Sequence, residues 1–365
     1  MSSTVSFVIP CYRLAHLLPE CIESILSQTF KDFEILILDD CSPDNTEHIV
    51  KSFTDSRVKH IRNDINLGHL RNYNKGLQLS AGKYIWLISA DDRLRRNDVL
   101  QRYLDIFEQN PRVGYVFSPA IGLENGSEKG LVDWTVNGDR DFVFDGKAFA
   151  RRLVHGNTIA APSVMARKEC YENVTLFPLD MPYGGDWYLW LAFALRYQVA
   201  YVSEPSVDYR LHAQSMTSQT DRSAQIADNF AIRWRIKRMA GELGDRASVA
   251  ECDRSIADHY AYCLARETLQ DGDYRMSLED FEASLGRNAR TSAEKRAIRA
   301  RVYEALGNGL YRKKEIRKAI HYYDLASRGR HWMPRLWAKR AFLKALAIKP
   351  NSAPGEVNLL NKSAQ

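Results

Sequence analysis

The sequence has no CxxC pair and no His/Cys spacing of a metal finger; its cysteines, Cys11, Cys21, Cys41, Cys170, Cys252 and Cys263, stand far apart. That excludes zinc-ribbon and thioredoxin-like chemistry and fits small buried thiols in a reducing compartment. Long hydrophobic runs are missing too. The longest, Trp187 to Leu195, falls far short of the roughly 20 residues of a bilayer-spanning helix. The opening Met1-Ser2-Ser3-Thr4 lacks a basic segment followed by an apolar core, so export is not expected and a cytoplasmic location is. The first strand-to-helix turn, Pro10-Cys-Tyr-Arg-Leu-Ala15, contains no glycine. This excludes the G-x-G-x-x-G dinucleotide fingerprint, and no Walker A sequence occurs elsewhere. Net positive charge is lacking until late in the chain. From Arg301 onward there are 14 Lys/Arg against 4 Asp/Glu, an excess of 10, so the rest carries 6 − 10 = −4. A basic tail without a recognisable module does not point to nucleic acid; a solvated helical face is its simplest reading.

What is present is alternation. With 365 residues, 45% of them hydrophobic, the chain is long enough for two domains. Strand-like runs at Val5–Pro10, Phe33–Leu38, Val58–Ile61, Ile85–Ile88 and Val113–Phe117 are separated by helical periodicities at 17–28, 47–53, 66–79 and 98–109. This predicts a mostly parallel, doubly wound α/β sheet in the first half. The span Gly122–Gly146 reads as a surface excursion over that sheet. Further helices are expected at 145–153 and 186–197, with extended segments at 163–166, 199–202 and 207–211. After Gln214 only helical segments follow, which sets the expected domains at 1–218 (halves 1–120 and 121–218) and 219–365.

The organising stretch is Ile85-Trp-Leu-Ile-Ser-Ala-Asp91-Asp92, a short apolar strand running into two carboxylates. In open α/β sheets ligands sit beyond the carboxyl ends of the strands. Two acids there suit Mg²⁺ or Mn²⁺ held together with substrate phosphates. The plainer alternative is that one of them caps the next helix. Asp39-Asp40 ends an earlier strand in the same way, and neighbouring parallel strands would bring both pairs to one sheet edge. Arg71 could add positive charge to that pocket. Asp186 follows Gly184-Gly185 at a helix start, where an exposed base and an ordinary cap are equally good readings. Trp187 and Trp190 read first as core and second as a sugar platform.

Taken together, Val5–Tyr12, Ile25–Phe30, Glu34–Ser42, Asn66-Leu-Gly68 with Arg71-Asn72, Ala81–Ile85 and Ser89–Asp92 resemble family 2 glycosyltransferases of the GT-A fold. Later, Gly184-Gly185-Asp186-Trp187 and Tyr209-Arg210-Leu-His212 resemble the family's acidic motif and its closing segment. The resemblance stops near residue 220. It implies a metal-dependent, inverting transfer of a sugar from a nucleotide-diphosphate sugar, with UDP favoured, to a glycan or lipid-linked acceptor. Pro10, Tyr12, Asp40, Arg71 and Asp91 would contact the nucleotide, with Asp40 at the base and Asp91 at the ribose or metal. Asp92 and His212 would hold the divalent cation, and Asp186 would be the general base. Two departures stand out: Ser89 replaces a usual Asp, and Cys41 a usual glycine.

The C-terminal part shows spacings of one tetratricopeptide-like helix pair at Tyr303, Leu306-Gly307, Leu310, Ala319, Tyr323 and Ala326. A basic amphipathic helix expected at 334–348 reads first as packing on the preceding helices and second as peripheral contact with the inner face of a membrane. Competing readings are a sugar nucleotidyltransferase, which wants a glycine-rich basic loop absent from Pro10–His16, and an inactive transferase domain on a helical scaffold.

Overall fold

In the computed structural model, which describes residues 3–124, 126–212, 220–268 and 276–328, the apolar runs form buried strands. In chain order come β1 (Val5–Cys11), α1 (Leu18–Leu26), β2 (Phe33–Asp39), α2 (Thr46–Ser52), β3 (Val58–Arg62) and α3 (His69–Leu79). Next are β4 (Tyr84–Leu87), β5 (Arg93–Leu94), α4 (Val99–Gln109), β6 (Val113–Phe117), β7 (Ala120–Glu124), β8 (Ser127–Leu131) and β9 (Phe142–Phe144). Then follow α5 (Gly146–Leu153), β10 (Met165–Arg167), α6 (Lys168–Asn173), α7 (Gly185–Ala194), β11 (Gln198–Tyr201) and β12 (Val207–Arg210). Helices alone complete the described residues: α8 (Arg222–Glu242), α9 (Arg246–Thr268), α10 (Leu278–Asn288), α11 (Ser292–Arg312) and α12 (Ile316–Arg328).

The main sheet has eight strands in the order β3-β2-β1-β4-β10-β6-β11-β9. β1 pairs in parallel with both β2 and β4, while β10 is wedged antiparallel between β4 and β6. Side chains alternate between two cores, as the two-residue period of a strand requires. Phe7, Ile9, Ile35, Ile37 and Trp86 pack with α1 and α4. Val8, Leu36, Leu38 and Ile85 pack with α3, α5, α7 and α8. Trp86 lies deepest, stacked on Tyr103 at 4.8 Å, with its indole N–H donating to Pro162 O at 2.7 Å.

A second sheet, β5-β12-β7-β8, corrects the expected excursion at Gly122–Gly146. That segment holds most of a hairpin, β7 with β8, and then β9 on the edge of the main sheet. All five residues of β8 are exposed, so it is held by backbone pairing and leaves no apolar period in the sequence.

By internal packing the chain divides into units Met1–Cys252 and Asp253–Gln365. The first extends past the last strand because Ile232, Ile236 and Ala240 of α8 join the core beneath α7. In the second unit, α11 and α12 form the expected helix pair, with Leu310, Ala319, Tyr323 and Ala326 at its centre. Gly307 is required there: an added Cβ would lie 2.8 Å from the Tyr323 ring. The basic helix expected at 334–348 lies outside the described residues. Among the described residues, no helix is long and apolar enough to cross a membrane.

Candidate active site

The carboxyl end of β4 and the turn after it face a cleft of about 340 Å³, lined by Leu87, Ser89, Asp91 and Asp92 on this side. Both acid pairs reach this edge of the sheet, but β1 stands between their strands, so they are not direct neighbours. Beyond β4 the chain continues along β1, with Ile88 N donating to Val8 O and Ala90 N to Pro10 O. It then turns at Ser89–Asp92, closed by Asp92 N to Ser89 O at 3.0 Å. Neither acid caps a helix, since α4 begins later, at Val99, with Asp98 as its N-cap residue.

Adjacent residues here have different surroundings. Asp92 is 3% exposed, and its Oδ1 accepts the backbone N–H of Arg210 at 2.9 Å. Burial, then the neighbouring Asp91 charge, push its pKa well above the usual carboxylate range. Asp91 opens toward the cleft. Its Oδ2 meets His212 Nε2 at 2.9 Å, and its Oδ1 is buried without a hydrogen-bond partner. The hydrogen bond to Asp91 raises the His212 pKa. Arg210 closes the back of the turn, donating to Asp91 O at 2.6 Å and pairing with Glu20.

This arrangement fits a divalent cation. An orphaned oxygen and a buried acid pair are a deficit of positive charge, which a cation would correct. Among the described residues no group of three His, Cys, Asp or Glu side chains converges on one point. The remaining ligands would therefore be substrate oxygens or water, as is usual for Mg²⁺. Ser89 also lines the cleft.

Asp186 lies across the cleft in the first turn of α7, and it is the one residue of that helix that is not buried. Its Oδ1 accepts Trp187 N at 2.7 Å and its Oδ2 accepts Asn157 Nδ2 at 3.2 Å. Desolvation by the surrounding protein raises its pKa to about 6, against the lowering effect of those bonds. Asp91, Asp186 and Asp92 all act on the buried Tyr73 hydroxyl, raising its pKa beyond the effect of burial. The three acids thus share one cleft.

Asp40 has a more structural setting. Its carboxylate accepts Asn63 Nδ2 at 2.8 Å, Leu67 N at 2.8 Å and Gly68 N at 3.0 Å. Of about four lone-pair directions on a carboxylate, three are used, two of them in seating the Asn66-Leu-Gly68 turn. Asp39 is fully buried and holds Arg62, His60 and Ser42 N. Cys41, between this pair and Ser42, has φ 58°, in the left-handed region that favours glycine. Pro10 is buried, and Tyr12 is 40% exposed under the Arg13 guanidinium. Arg71 is exposed on α3, and neither it nor Pro10, Tyr12, Asp40 or His212 lines the cleft.

Several residues at the site carry no sequence signal of their own. Asn63 joins Asp40 to Asn72 at 2.9 Å, and Lys75 donates to Asn63 at 2.6 Å. The amide of Asn157 is oriented by Ile159 N, which donates to its Oδ1 at 3.1 Å. Trp187 and Trp190 are 4% and 3% exposed, so the core reading describes them, although both also border the cleft.

A parallel sheet carrying an acid pair at its carboxyl edge, an antiparallel inserted strand and a second small sheet is the GT-A arrangement. TarS 1–349 of S. aureus, solved in complex with UDP-GlcNAc, shares this fold with a TM-score of 0.62 over 90% of this chain and 91% of that one, at 16% identity. The model for glycosyl transferase family 2 matches residues 6–171. Over that segment the chain is similar to family 2 glycosyltransferases, and helices follow. GlyG of Streptococcus pneumoniae, a glycosyltransferase, is 33% identical over 115 residues, which are 31% of this chain and 38% of GlyG. The glucosyltransferase WfgD of Escherichia coli, named for UDP-Glc and α-D-GlcNAc-diphosphoundecaprenol, is 26% identical over 59% of this chain and 79% of WfgD. Of the first curated relatives it matches, this chain spans 38% and 34% of the length.

Proposed function

We propose that the protein is an inverting glycosyltransferase that moves a sugar from a nucleotide-diphosphate sugar to an acceptor hydroxyl. The observation that supports this reading is the pairing of Asp91 and Asp92, with His212 bonded to Asp91 from outside the lining, with the separate, desolvated Asp186 across one cleft. The first is suited to a diphosphate with its cation. The second is suited to take a proton near neutral pH, because a base works best when its pKa lies close to the operating pH.

In this reading Asp91 and His212 face the cation, and Asp92 reinforces the negative charge behind them while holding β12 in place. The sequence resemblance had put Asp92 in that facing position; the orphaned Asp91 oxygen favours Asp91. A bound Mg²⁺ or Mn²⁺ supplies charge neutralisation to the departing diphosphate. Asp186 accepts the acceptor's proton as its oxygen bonds to the sugar C1 and the C1–diphosphate bond breaks. One in-line displacement inverts that carbon. Asp40 seats the nucleotide-side turn and keeps a lone pair for a base N–H, with Pro10 and Tyr12 beside it at the end of β1. Arg71 is a peripheral contributor at most. Trp134 and Tyr209 give the acceptor side an aromatic wall that suits a sugar face.

The acceptor proposed is a glycan or lipid-linked saccharide of bacterial surface polysaccharide or glycoconjugate synthesis, made at the cytoplasmic face of the membrane. WfgD's printed specificity supports that class. Calorimetric titration with UDP and GDP, with and without Mn²⁺, tests the donor site on wild type, Asp91→Ala and Asp92→Ala. Metal-dependent binding of one nucleotide, lost in Asp91→Ala, is expected. Failure of folded protein to bind any nucleoside diphosphate would overturn the assignment and favour an inactive domain on a helical scaffold.

A further inference from the structure

We propose that Asp228 on α8, beyond the segment matched to the family, is a positioning residue that fixes the turn from which Asp186 reaches the cleft. The proposal rests on the reading of Asp186 as the base.

Helix α7 starts without a cap of its own. Its N-cap residue is Gly184, which has no side chain to accept the first free N–H groups. Asp228, 4% exposed, reaches from another helix to the two residues just ahead of those groups. Its Oδ2 takes Tyr183 N at 2.7 Å and Gly184 N at 3.0 Å. A carboxylate at this point also faces the positive end of α7. The two bonded N–H groups lie three and two residues before Asp186, so they set the backbone that aims it.

The same helix presses on the turn one step further along. A Cβ at Gly184 would lie 2.4 Å from Ile232 Cδ1. The Arg233 guanidinium lies 4.7 Å from the centre of the Trp187 ring and donates to His155 O at 3.1 Å. His155 is two residues before Asn157, the side chain that meets Asp186. Both chain segments that place Asp186 are therefore held by α8, the turn at 183–186 through Asp228 and the segment at 155–157 through Arg233. A glycosyltransferase domain ending at β12 would lack both supports.

The test uses full-length wild type, Asp228→Ala, Asp228→Asn and Asp186→Asn, with UDP-glucose and UDP-N-acetylglucosamine as donors and Mn²⁺ present. Hydrogen exchange over 180–188 and UDP release as a function of pH are measured. In Asp228→Ala, exchange at Tyr183 and Gly184 should rise about tenfold, the effect of leaving buried donors unpaired. Turnover should fall by about 10²-fold, as expected for a slightly misplaced group, with UDP affinity unchanged. The acid limb should move to lower pH as water reaches Asp186. Asp228→Asn keeps one oxygen for the two N–H groups and should restore most of each effect. Unchanged exchange, or turnover reduced only with the folded fraction and an unmoved acid limb, would overturn the proposal. Wild-type turnover in Asp186→Asn would instead overturn the base reading, and this inference with it.

Discussion

Replacing Asp186 by Asn should inactivate the protein and stabilise it at neutral pH. In the folded state the carboxyl has a pKa of about 6 against an ordinary 3.8, because the protein around it excludes water. Below pH 3.8 the group is protonated in both folded and unfolded chains. As pH rises from 3.8 to about 6, the unfolded chain ionises first, so stability falls through that window and is level above it. At 1.36 kcal/mol per pKa unit the loss is about 3 kcal/mol. The Asn variant cannot ionise and escapes it. It does, however, bring its own NH₂ against that of Asn157, which is fixed by Ile159 N, and the lost bond costs about 1 kcal/mol. The net expectation is a gain of about 2 kcal/mol at pH 7.5 that reverses below about pH 4.5. Urea unfolding followed by tryptophan fluorescence suits the measurement, since Trp86, Trp134, Trp187, Trp190 and Trp234 all lie in the first unit. In the same variant, sugar transfer should fall about 10² to 10⁴-fold, the usual contribution of a general base. A stability difference that does not change between pH 4 and 7.5 would refute the desolvation argument. Retained transfer would refute the catalytic one.

Other outcomes follow from single contacts. Asn157→Ala removes a bond to the ionised form of Asp186, so the acid limb of the transfer rate should move up from about 6, readable in a pH–rate profile. Cys41→Gly relieves a left-handed backbone position and should stabilise the fold by about 1 kcal/mol in urea titration, with nucleotide affinity unchanged. Gly307→Ala drives a methyl into the Tyr323 ring. It should destabilise the α11–α12 pair by about 1–3 kcal/mol, visible as faster hydrogen exchange in those helices.

Hydrophobic periodicity alone placed β1, β2, β4 and β6 to within about two residues, because strands buried on both faces read as continuous apolar runs. The motifs placed Asp91, Asp92, Asp186 and His212 at the ends of elements, which is where the fold puts them. What sequence does not carry is direction and partnership. Asp91 and Asp92 are chemically identical neighbours, and only the Arg210 N–H and the His212 ring decide which is seated and which faces the cleft. β5 is two residues long and β8 wholly exposed, so the second sheet exists through backbone pairing that leaves no pattern to read. Asn157 and Asp228 are isolated polar residues 29 and 44 positions from the residues they hold, Asp186 and Gly184. Local composition set the strands, the helices and the acids at their ends. The long-range closure of α8 and β12 on the sheet decided which acid is buried, which is exposed, and what fixes each.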